Sequence, residues 1–250
     1  EELPALVADP IAYRYEYADG LKATIMLVEG IVHDITFAAR LKGSARPLST
    51  LMYLHPREVV NFFSPLTHHT ETLFRTGKSP YPVERTLLTT GLTAAGVESL
   101  HLGGKRLETP HLRIRYQATK KSTYWKSRNP IHSDKPSLPD QKAPRKRIAV
   151  IASIWTYLSH AQHITDRFLV GYPMNGEWHM PAMDVASLWV DQRPKGDQSE
   201  ERAGQFGFKV YPTIAEAWRR GGDKIAVDAV LLIAEHGEYP SNEKGQKLYP

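Results

Sequence analysis

The stretch RIAVIASIWTYLSH, residues 147–160, decides the fold of this chain. Its first six residues, 147–152, are apolar after the arginine and predict a buried strand. Ser159 then predicts the cap of a helix over residues 159–170. Strands and helices continue to alternate after it, which predicts right-handed crossovers and a parallel sheet.

The elements that complete this alternation carry ordinary start and stop signals. Acidic residues open one helix, Thr213 caps another, and Gly207 and the Gly221-Gly222 pair mark helix ends. The final strand is apolar nearly throughout, which predicts burial on both of its faces. The predicted order is a strand at 184–190, a helix at 197–206, a strand at 209–211, a helix at 214–220 and a strand at 226–234.

The loop after the first strand conflicts with this fold signal. A dinucleotide-binding fold carries G-x-G-x-x-G at this point, because the backbone must approach the pyrophosphate closely. Residues 153–160 contain no glycine. The sequence therefore predicts that phosphates are held in another way here, or that the domain does not bind a dinucleotide.

The first half of the chain, residues 1–118, has a different pattern. Strands come first and helices follow, which predicts an α+β domain with helices on one face of an antiparallel meander. Asp19-Gly20 predicts a tight turn, and Pro65 and Pro82 mark helix starts. The predicted strands are 12–17, 21–28, 31–38 and 49–54, followed by two helices and an edge strand at 111–116.

A basic, proline-rich segment at residues 119–146 separates the halves. Nine Lys/Arg and two Asp/Glu lie between Lys120 and Arg147, and the rest of the chain is close to neutral. Prolines oppose both helix and sheet, so we interpret the segment as a solvated linker. Nucleic-acid binding by this segment is the less favoured interpretation.

Composition excludes several classes of protein. The 41% of hydrophobic residues suffices for real cores, and no run of 18 apolar residues predicts a membrane span. No signal peptide is visible, which favours a cytoplasmic protein. Zero cysteines exclude disulfides, thiolate metal sites and a cysteine nucleophile. Neither a G-x-S-x-G elbow nor a phosphate-binding Walker loop occurs.

Two longer segments resemble one known family. The run GFKVYPTIAEAWRRGGDKIAVDAVLLIAEHGEYP, residues 207–240, resembles the nucleotide-binding domain of the glucose–fructose oxidoreductase / inositol dehydrogenase (Gfo/Idh/MocA) family. The run TGKSPYPVERTLLTTGLTAAGVESLHLGGKRLETP, residues 76–110, is similar to that family's C-terminal domain. The resemblance implies an α/β fold: a Rossmann-like parallel-sheet domain over 147–250 and an α+β antiparallel-sheet domain over 1–118.

The same resemblance implies a function. It implies an oxidoreductase that uses NAD or NADP on a sugar or polyol, and a homo-oligomer formed through the sheet of the 1–118 domain. Three features depart from the family: the domain order is reversed, the glycine loop is missing, and the family's E-K-P lysine is absent. Asp134-Lys135-Pro136 lies in the linker instead. We therefore expect a truncated or rearranged member, with a non-catalytic binding or structural protein on the same fold as the alternative.

The candidate site residues follow from the strand ends. Ligands of doubly wound sheets lie outside the carboxyl ends of the strands. This rule selects Ser153 and Trp155 after the first strand, Asp191 after the second, and Glu235 and His236 after the last. Asp191 is the candidate for a ribose hydroxyl, and His236 is the candidate catalytic group; an ordinary solvated loop is the alternative for each, and core packing is the alternative for Trp155.

A metal site is a weaker expectation from the same region. His160 and His163 are three residues apart on the predicted helix and share a face. Together with His179 and Asp184 they could supply nitrogen and oxygen ligands. Because helix histidines more often serve packing or the surface, the sequence favours no metal.

Overall fold

A computed structural model describes residues 6–31, 34–52, 62–118, 145–174 and 177–250. The chain divides into two compact units, unit 1 with residues 1–60 and 84–116 and unit 2 with residues 61–83 and 117–250. Most of the predicted linker, including Asp134-Lys135-Pro136, lies outside the described residues. No helix in the described part of the chain has both the length and the apolar character to cross a bilayer.

The described elements follow the chain in this order: β1 (Ile11–Glu16), β2 (Lys22–Leu27), β3 (Ile35–Ala39), β4 (Leu48–Met52), α1 (Phe63–Thr76), α2 (Val83–His101), a short 3₁₀ turn (Pro110–Leu112), β5 (Lys146–Ala152), α3 (His160–Val170), β6 (Tyr172–Met174), β7 (Glu177–His179), β8 (Met183–Val190), α4 (Ser199–Phe206), β9 (Lys209–Val210), α5 (Ile214–Arg219) and β10 (Ala229–Ile233).

Unit 1 contains two antiparallel ribbons and the helix α2. β1 pairs with β2, and β3 pairs with β4. The predicted turn at Asp19-Gly20 is present, with Gly20 at φ 84° and the Asp19 carboxylate accepting from Leu21 N at 3.0 Å. The two ribbons form separate two-stranded sheets, so the predicted continuous meander is wrong for the described residues.

The last predicted strand of unit 1 is also wrong. Residues Pro110–Leu112 form a 3₁₀ turn, in which Arg113 N donates to Pro110 O at 3.2 Å. Pro110 has no N–H to give a strand ladder, which favours the turn. The helix α2 agrees with its prediction, and Gly96 within it is required by packing, since a Cβ there would lie 2.7 Å from the Tyr13 ring.

Unit 2 is built on a four-stranded parallel sheet in the order β10-β5-β8-β9. β5 is one of the two inner strands, and its residues Ile148 to Ala152 are all buried. α3 begins at the predicted cap, where the Ser159 hydroxyl accepts from Gln162 N at 3.2 Å. Thr213 caps α5 in the same way. The mixed α/β architecture predicted for this half is therefore confirmed.

β10 differs from its prediction. It is the edge strand of the sheet, and its burial alternates: Leu231 is 9% exposed and Leu232 is 69% exposed. An apolar run in sequence predicts two covered faces, but among the described residues only one face of this strand meets the core. The expectation of burial on both faces is wrong.

Two features of unit 2 have no counterpart in the sequence prediction. The hairpin β6–β7 is inserted between α3 and β8. The helix α1 belongs to unit 2 rather than to the first-half domain, so the unit boundary differs from the predicted one at residues 61–83. The reason is its contacts: Arg167 of α3 donates to the Ser64 hydroxyl at 3.4 Å, and Lys146 Nζ donates to Phe74 O at 2.8 Å.

Candidate functional site

Three strand ends meet at one edge of the parallel sheet. Ser153 N donates to Ile233 O at 3.1 Å, and Asp191 N donates to Ala152 O at 3.0 Å. These bonds place the residues that follow β5, β8 and β10 side by side. Ser153, Asp191, Glu235 and His236 therefore come together at this edge, which we call the strand-end site.

Asp191 is held by a residue that the sequence analysis missed. Tyr239 donates from its hydroxyl to Asp191 Oδ2 at 2.7 Å. Burial, and then the hydrogen bond and charge of Asp191, raise the pKa of Tyr239 to about 12. Nothing in the local sequence around Tyr239 signals this contact, because it joins residues 48 positions apart.

The segment after β10 covers the end of β8. Gln192 and Glu238 exchange two hydrogen bonds of 2.9 Å, one through the Gln192 amide nitrogen and one through its oxygen. The Tyr249 hydroxyl donates to Glu235 O at 3.0 Å, and its ring lies 4.8 Å from the Tyr239 ring. A ligand that enters between these strand ends must displace part of this segment.

A second group of polar side chains lies at the start of α3. His160 Nδ1 is 2.7 Å from His236 Nε2 and 3.0 Å from Glu235 Oε2. The two imidazole rings stack with centroids 4.8 Å apart. Glu235, His160 and His236 thus form a contact chain that can accept a proton and share it, and its side chains are accessible, with 30% of His160 and 60% of Glu235 exposed.

The loop from Ser153 to Ser159 is built without glycine, although one of its residues takes a left-handed conformation. Trp155 is fully buried and stacks on Phe208 with centroids 6.2 Å apart, so its ring presents no face to a ligand. Leu158 takes a left-handed φ of 61°, with its N–H donating to the Gln162 side chain at 2.6 Å. A left-handed conformation costs a residue with a Cβ roughly 1–2 kcal/mol.

The four residues that the sequence suggested as metal ligands, His160, His163, His179 and Asp184, do not lie together around one point. His163 stacks on Phe63 at 5.2 Å, and His160 meets the same ring edge-on at 5.3 Å. Asp184 instead binds Arg145 at 2.7 Å. His179 lies in a different cluster.

That cluster joins α1 to the β6–β7 hairpin inside unit 2, and we call it the histidine–glutamate cluster. His179 Nε2 is 2.7 Å from Glu71 Oε2, and one ligand atom from each of His68, Glu71 and His179 lies within 4.8 Å of the others. The Tyr172 hydroxyl donates to Glu71 Oε2 at 3.3 Å. Within the described part of the chain, these three side chains form the group of His, Asp or Glu residues whose ligand atoms are close enough together to hold one metal ion.

Glu71 is the buried centre of this cluster. Its side chain is 3% exposed, and Oε1 accepts from Ala182 N at 3.1 Å. Burial would raise the pKa of this carboxyl, but the hydrogen bonds from His179 and Ala182 and the nearby charge of Arg75 hold it below the ordinary value. Glu71 is therefore a carboxylate in the folded protein. The i, i+3 spacing of His68 and Glu71 indicates that these two side chains share a helix face. It gives no sign of the third member, because His179 is 108 residues from Glu71.

Two of the cavities among the described residues lie away from both groups. One, of about 710 Å³, lies in unit 1 along β1, β2 and α2. The other, of about 360 Å³, lies in unit 2 and is lined by residues that include Arg145, Asp184 and Arg220. Neither is lined by a residue of the strand-end site or of the histidine–glutamate cluster.

Comparisons with known proteins add no relative to these observations. The chain matches no protein-family model, no curated protein and no solved structure.

Proposed function

We propose that unit 2 carries a Rossmann-like nucleotide-binding half and that the chain is an NAD(P)-dependent oxidoreductase-like protein acting on a sugar or polyol. The observation that carries this proposal is the strand order. Numbered along the chain, the four parallel strands lie in the order 3-2-1-4. Folds of this order bind nucleotides where the order reverses, which is between β5 and β10 here. The resemblance of residues 207–240 to the Gfo/Idh/MocA family supports the same function.

The strand-end site offers a group that can bind the ribose of a dinucleotide, but its loop does not suit the pyrophosphate. Asp191 follows the second strand, where a carboxylate can accept hydrogen bonds from ribose hydroxyls. The loop before α3 does not fit a pyrophosphate held by glycine backbone, because side chains replace glycine at every position from 153 to 159.

The chain's own residues can manage the proton of an alcohol substrate. Oxidation of an alcohol releases the hydroxyl proton, and a neutral imidazole within reach accepts it. His236 is exposed and touches His160, which in turn touches the Glu235 carboxylate. In this proposal His236 accepts the proton, His160 Nδ1 accepts a hydrogen bond from the protonated His236, and the negative charge of the nearby Glu235 carboxylate stabilises the positive charge.

The test is a titration of the chain with NADH and with NADPH, followed by cofactor fluorescence and by thermal unfolding. Binding at 100 times the dissociation constant stabilises a protein by about 2.7 kcal/mol. In the Tyr239→Phe background, where no phenol bond has to be exchanged, Asp191→Asn is expected to weaken binding about tenfold, since a lost hydrogen bond to a charged group costs roughly 1.5 kcal/mol. Asp223→Asn, an exposed change in a loop of the same unit, is the matched control. The absence of a shift with both cofactors would overturn the dehydrogenase proposal.

A second function is favoured by one observation, the bond between Tyr239 and Asp191. If the segment after β10 stays in place, the domain is a non-catalytic binding or structural protein on the same fold. This alternative predicts no cofactor shift at any concentration and no turnover of alcohols. A thermal shift with sugars or polyols in the absence of cofactor would support its binding form.

A further inference from the structure

We propose that His68, Glu71 and His179 bind a divalent transition-metal ion, with Zn²⁺ as the ion that this donor set fits best. Two imidazoles and one carboxylate are the protein ligands of many zinc sites that keep an open fourth position. The proposal stands apart from the proposed function, because none of these residues belongs to the strand-end site.

The separations of the donor atoms suit one ion. Zinc binds imidazole nitrogen at roughly 2.0–2.1 Å, so neighbouring ligands around a tetrahedral ion lie roughly 3.3 Å apart. All three donor atoms lie within 4.8 Å of one another, so one ion can be placed among them. His179 Nε2 and Glu71 Oε2 are 2.7 Å apart, and an ion between them would replace their direct hydrogen bond.

Glu71 is oriented as a ligand before any ion arrives. The Ala182 N–H holds Oε1 at 3.1 Å, which turns Oε2 toward His179 and the Tyr172 hydroxyl. Hydrogen bonds of this kind from outside the ligand set fix carboxylates at metal sites. The Tyr172 hydroxyl is also 3.5 Å from His68 Nδ1, so it contacts two of the three ligand residues.

Charge supports the same conclusion. A carboxylate as buried as Glu71 is costly unless a cation compensates it. Arg75 is 3.8 Å away and its side chain is 59% exposed, so it compensates weakly. The alternative to a metal ion is a purely structural contact between His179 and Glu71.

Two elements would be joined by the ion. His68 and Glu71 lie one turn apart on α1 and share a face, and His179 ends β7. Binding would fasten the hairpin to the helix, so the ion should raise the unfolding temperature of unit 2 as well as occupy the site.

The test uses the full chain loaded with Zn²⁺ or Co²⁺ and dialysed against metal-free buffer. We expect about one equivalent of metal to remain, visible bands of four-coordinate Co²⁺, and a higher unfolding temperature with metal. His68→Ala and His179→Ala should each reduce the retained metal at least tenfold. His69→Ala is the matched control, since His69 adjoins His68 on α1 and is outside the ligand set.

Three outcomes would overturn the proposal. The first is a wild-type chain that retains no metal. The second is a His68→Ala variant that retains as much metal as the wild type. The third is a His236→Gln variant that loses the metal, which would place the metal in the strand-end site. Circular dichroism checks that each variant folds. If His68→Ala does not fold, His68→Asn replaces it, and the Co²⁺ spectrum of the wild type decides independently whether the bound ion is four-coordinate.

Discussion

The Tyr239 hydroxyl donates a 2.7 Å hydrogen bond to the carboxylate of Asp191. Asp191 is the group at the end of β8 that the sequence marks for a ribose hydroxyl, so the protein's own phenol stands where a ligand hydroxyl would bind. A ligand hydroxyl that binds Asp191 through Oδ2 would have to replace Tyr239. In the proposed function, binding through this oxygen is therefore an exchange of two similar hydrogen bonds.

Replacing the carboxylate should change the titration of the phenol. The pKa of Tyr239 is raised to about 12, by burial first and then by its hydrogen bond to Asp191 and that charge. Asp191→Asn removes the charge, and we expect the pKa to fall toward the ordinary value of 10. The pKa of Tyr239 in the wild type and in Asp191→Asn is measured by pH titration of tyrosinate absorbance, after subtraction of the same titration of each protein's Tyr239→Phe derivative. An unchanged titration would show that Asp191 does not act on Tyr239 in solution.

Removing the phenol hydroxyl should strengthen cofactor binding if the proposed function holds. In Tyr239→Phe, a ligand can bind Asp191 without first breaking the hydrogen bond from the phenol. Because that bond is worth roughly 1 kcal/mol, the affinity for the cofactor should rise about fivefold. Fluorescence titration with NADH and NADPH measures the change. Tyr249→Phe serves as the control, since its hydroxyl bonds the Glu235 carbonyl rather than Asp191. Equal affinities in the wild type and Tyr239→Phe would contradict the competition.

The cap of α3 should matter more than the cap of α5. The buried Ser159 hydroxyl accepts from both Gln162 N and Thr156 N, each at 3.2 Å. Ser159→Ala should lower the free energy of unfolding by roughly 1–2 kcal/mol, and Thr213→Ala, in a short exposed turn, by roughly 0.5 kcal/mol. Urea unfolding measures both. Equal losses would mean that the bond to Thr156 contributes nothing.

Neighbouring leucines of β10 should differ strongly in their effect on stability. Leu231 is 9% exposed and Leu232 is 69% exposed. Leu231→Ala should cost roughly 2–3 kcal/mol, because it leaves a cavity in the core. Leu232→Ala should change stability by less than about 0.5 kcal/mol. A large loss for Leu232→Ala, again by urea unfolding, would mean that something covers this face in solution.

Acid should destabilise unit 2 through His163. Its pKa is lowered from 6.5 by burial first, and then by the charges of Arg167 and His160, although a hydrogen bond to the Leu158 backbone opposes the shift. The unfolded chain takes up this proton near pH 6.5 and the folded chain only at lower pH. The free energy of unfolding should therefore fall as pH drops from 6.5 through the folded pKa.

His163→Gln removes this contribution and should flatten the pH dependence. Unfolding of the wild type and of His163→Gln at pH 7.5 and pH 5.5 provides the comparison. His101→Gln, an exposed change outside unit 2, is the control. A wild-type chain that is equally stable at both pH values, or a variant with the same slope, would contradict the assignment.

Local patterns predicted much of unit 2 because its strands and helices have distinct periods. The apolar run at 147–152 and the caps Ser159 and Thr213 all occur as expected. The errors fall where local sequence is silent about neighbours. β10 has the composition of a buried strand but lies at the sheet edge, and β1–β2 and β3–β4 pair separately rather than as one meander.

The sequence alone predicted the alternation of strands and helices over residues 147–234, apart from the inserted β6–β7 hairpin, since side-chain period and capping act over a few residues. It also placed Asp191, Ser153 and His236 at strand ends, because parallel strands share one carboxyl edge. Only the tertiary structure decided that Tyr239 binds Asp191 and that Glu71 meets His179. These contacts join segments 48 and 108 residues apart, and no local periodicity encodes which distant side chains a packed fold brings together.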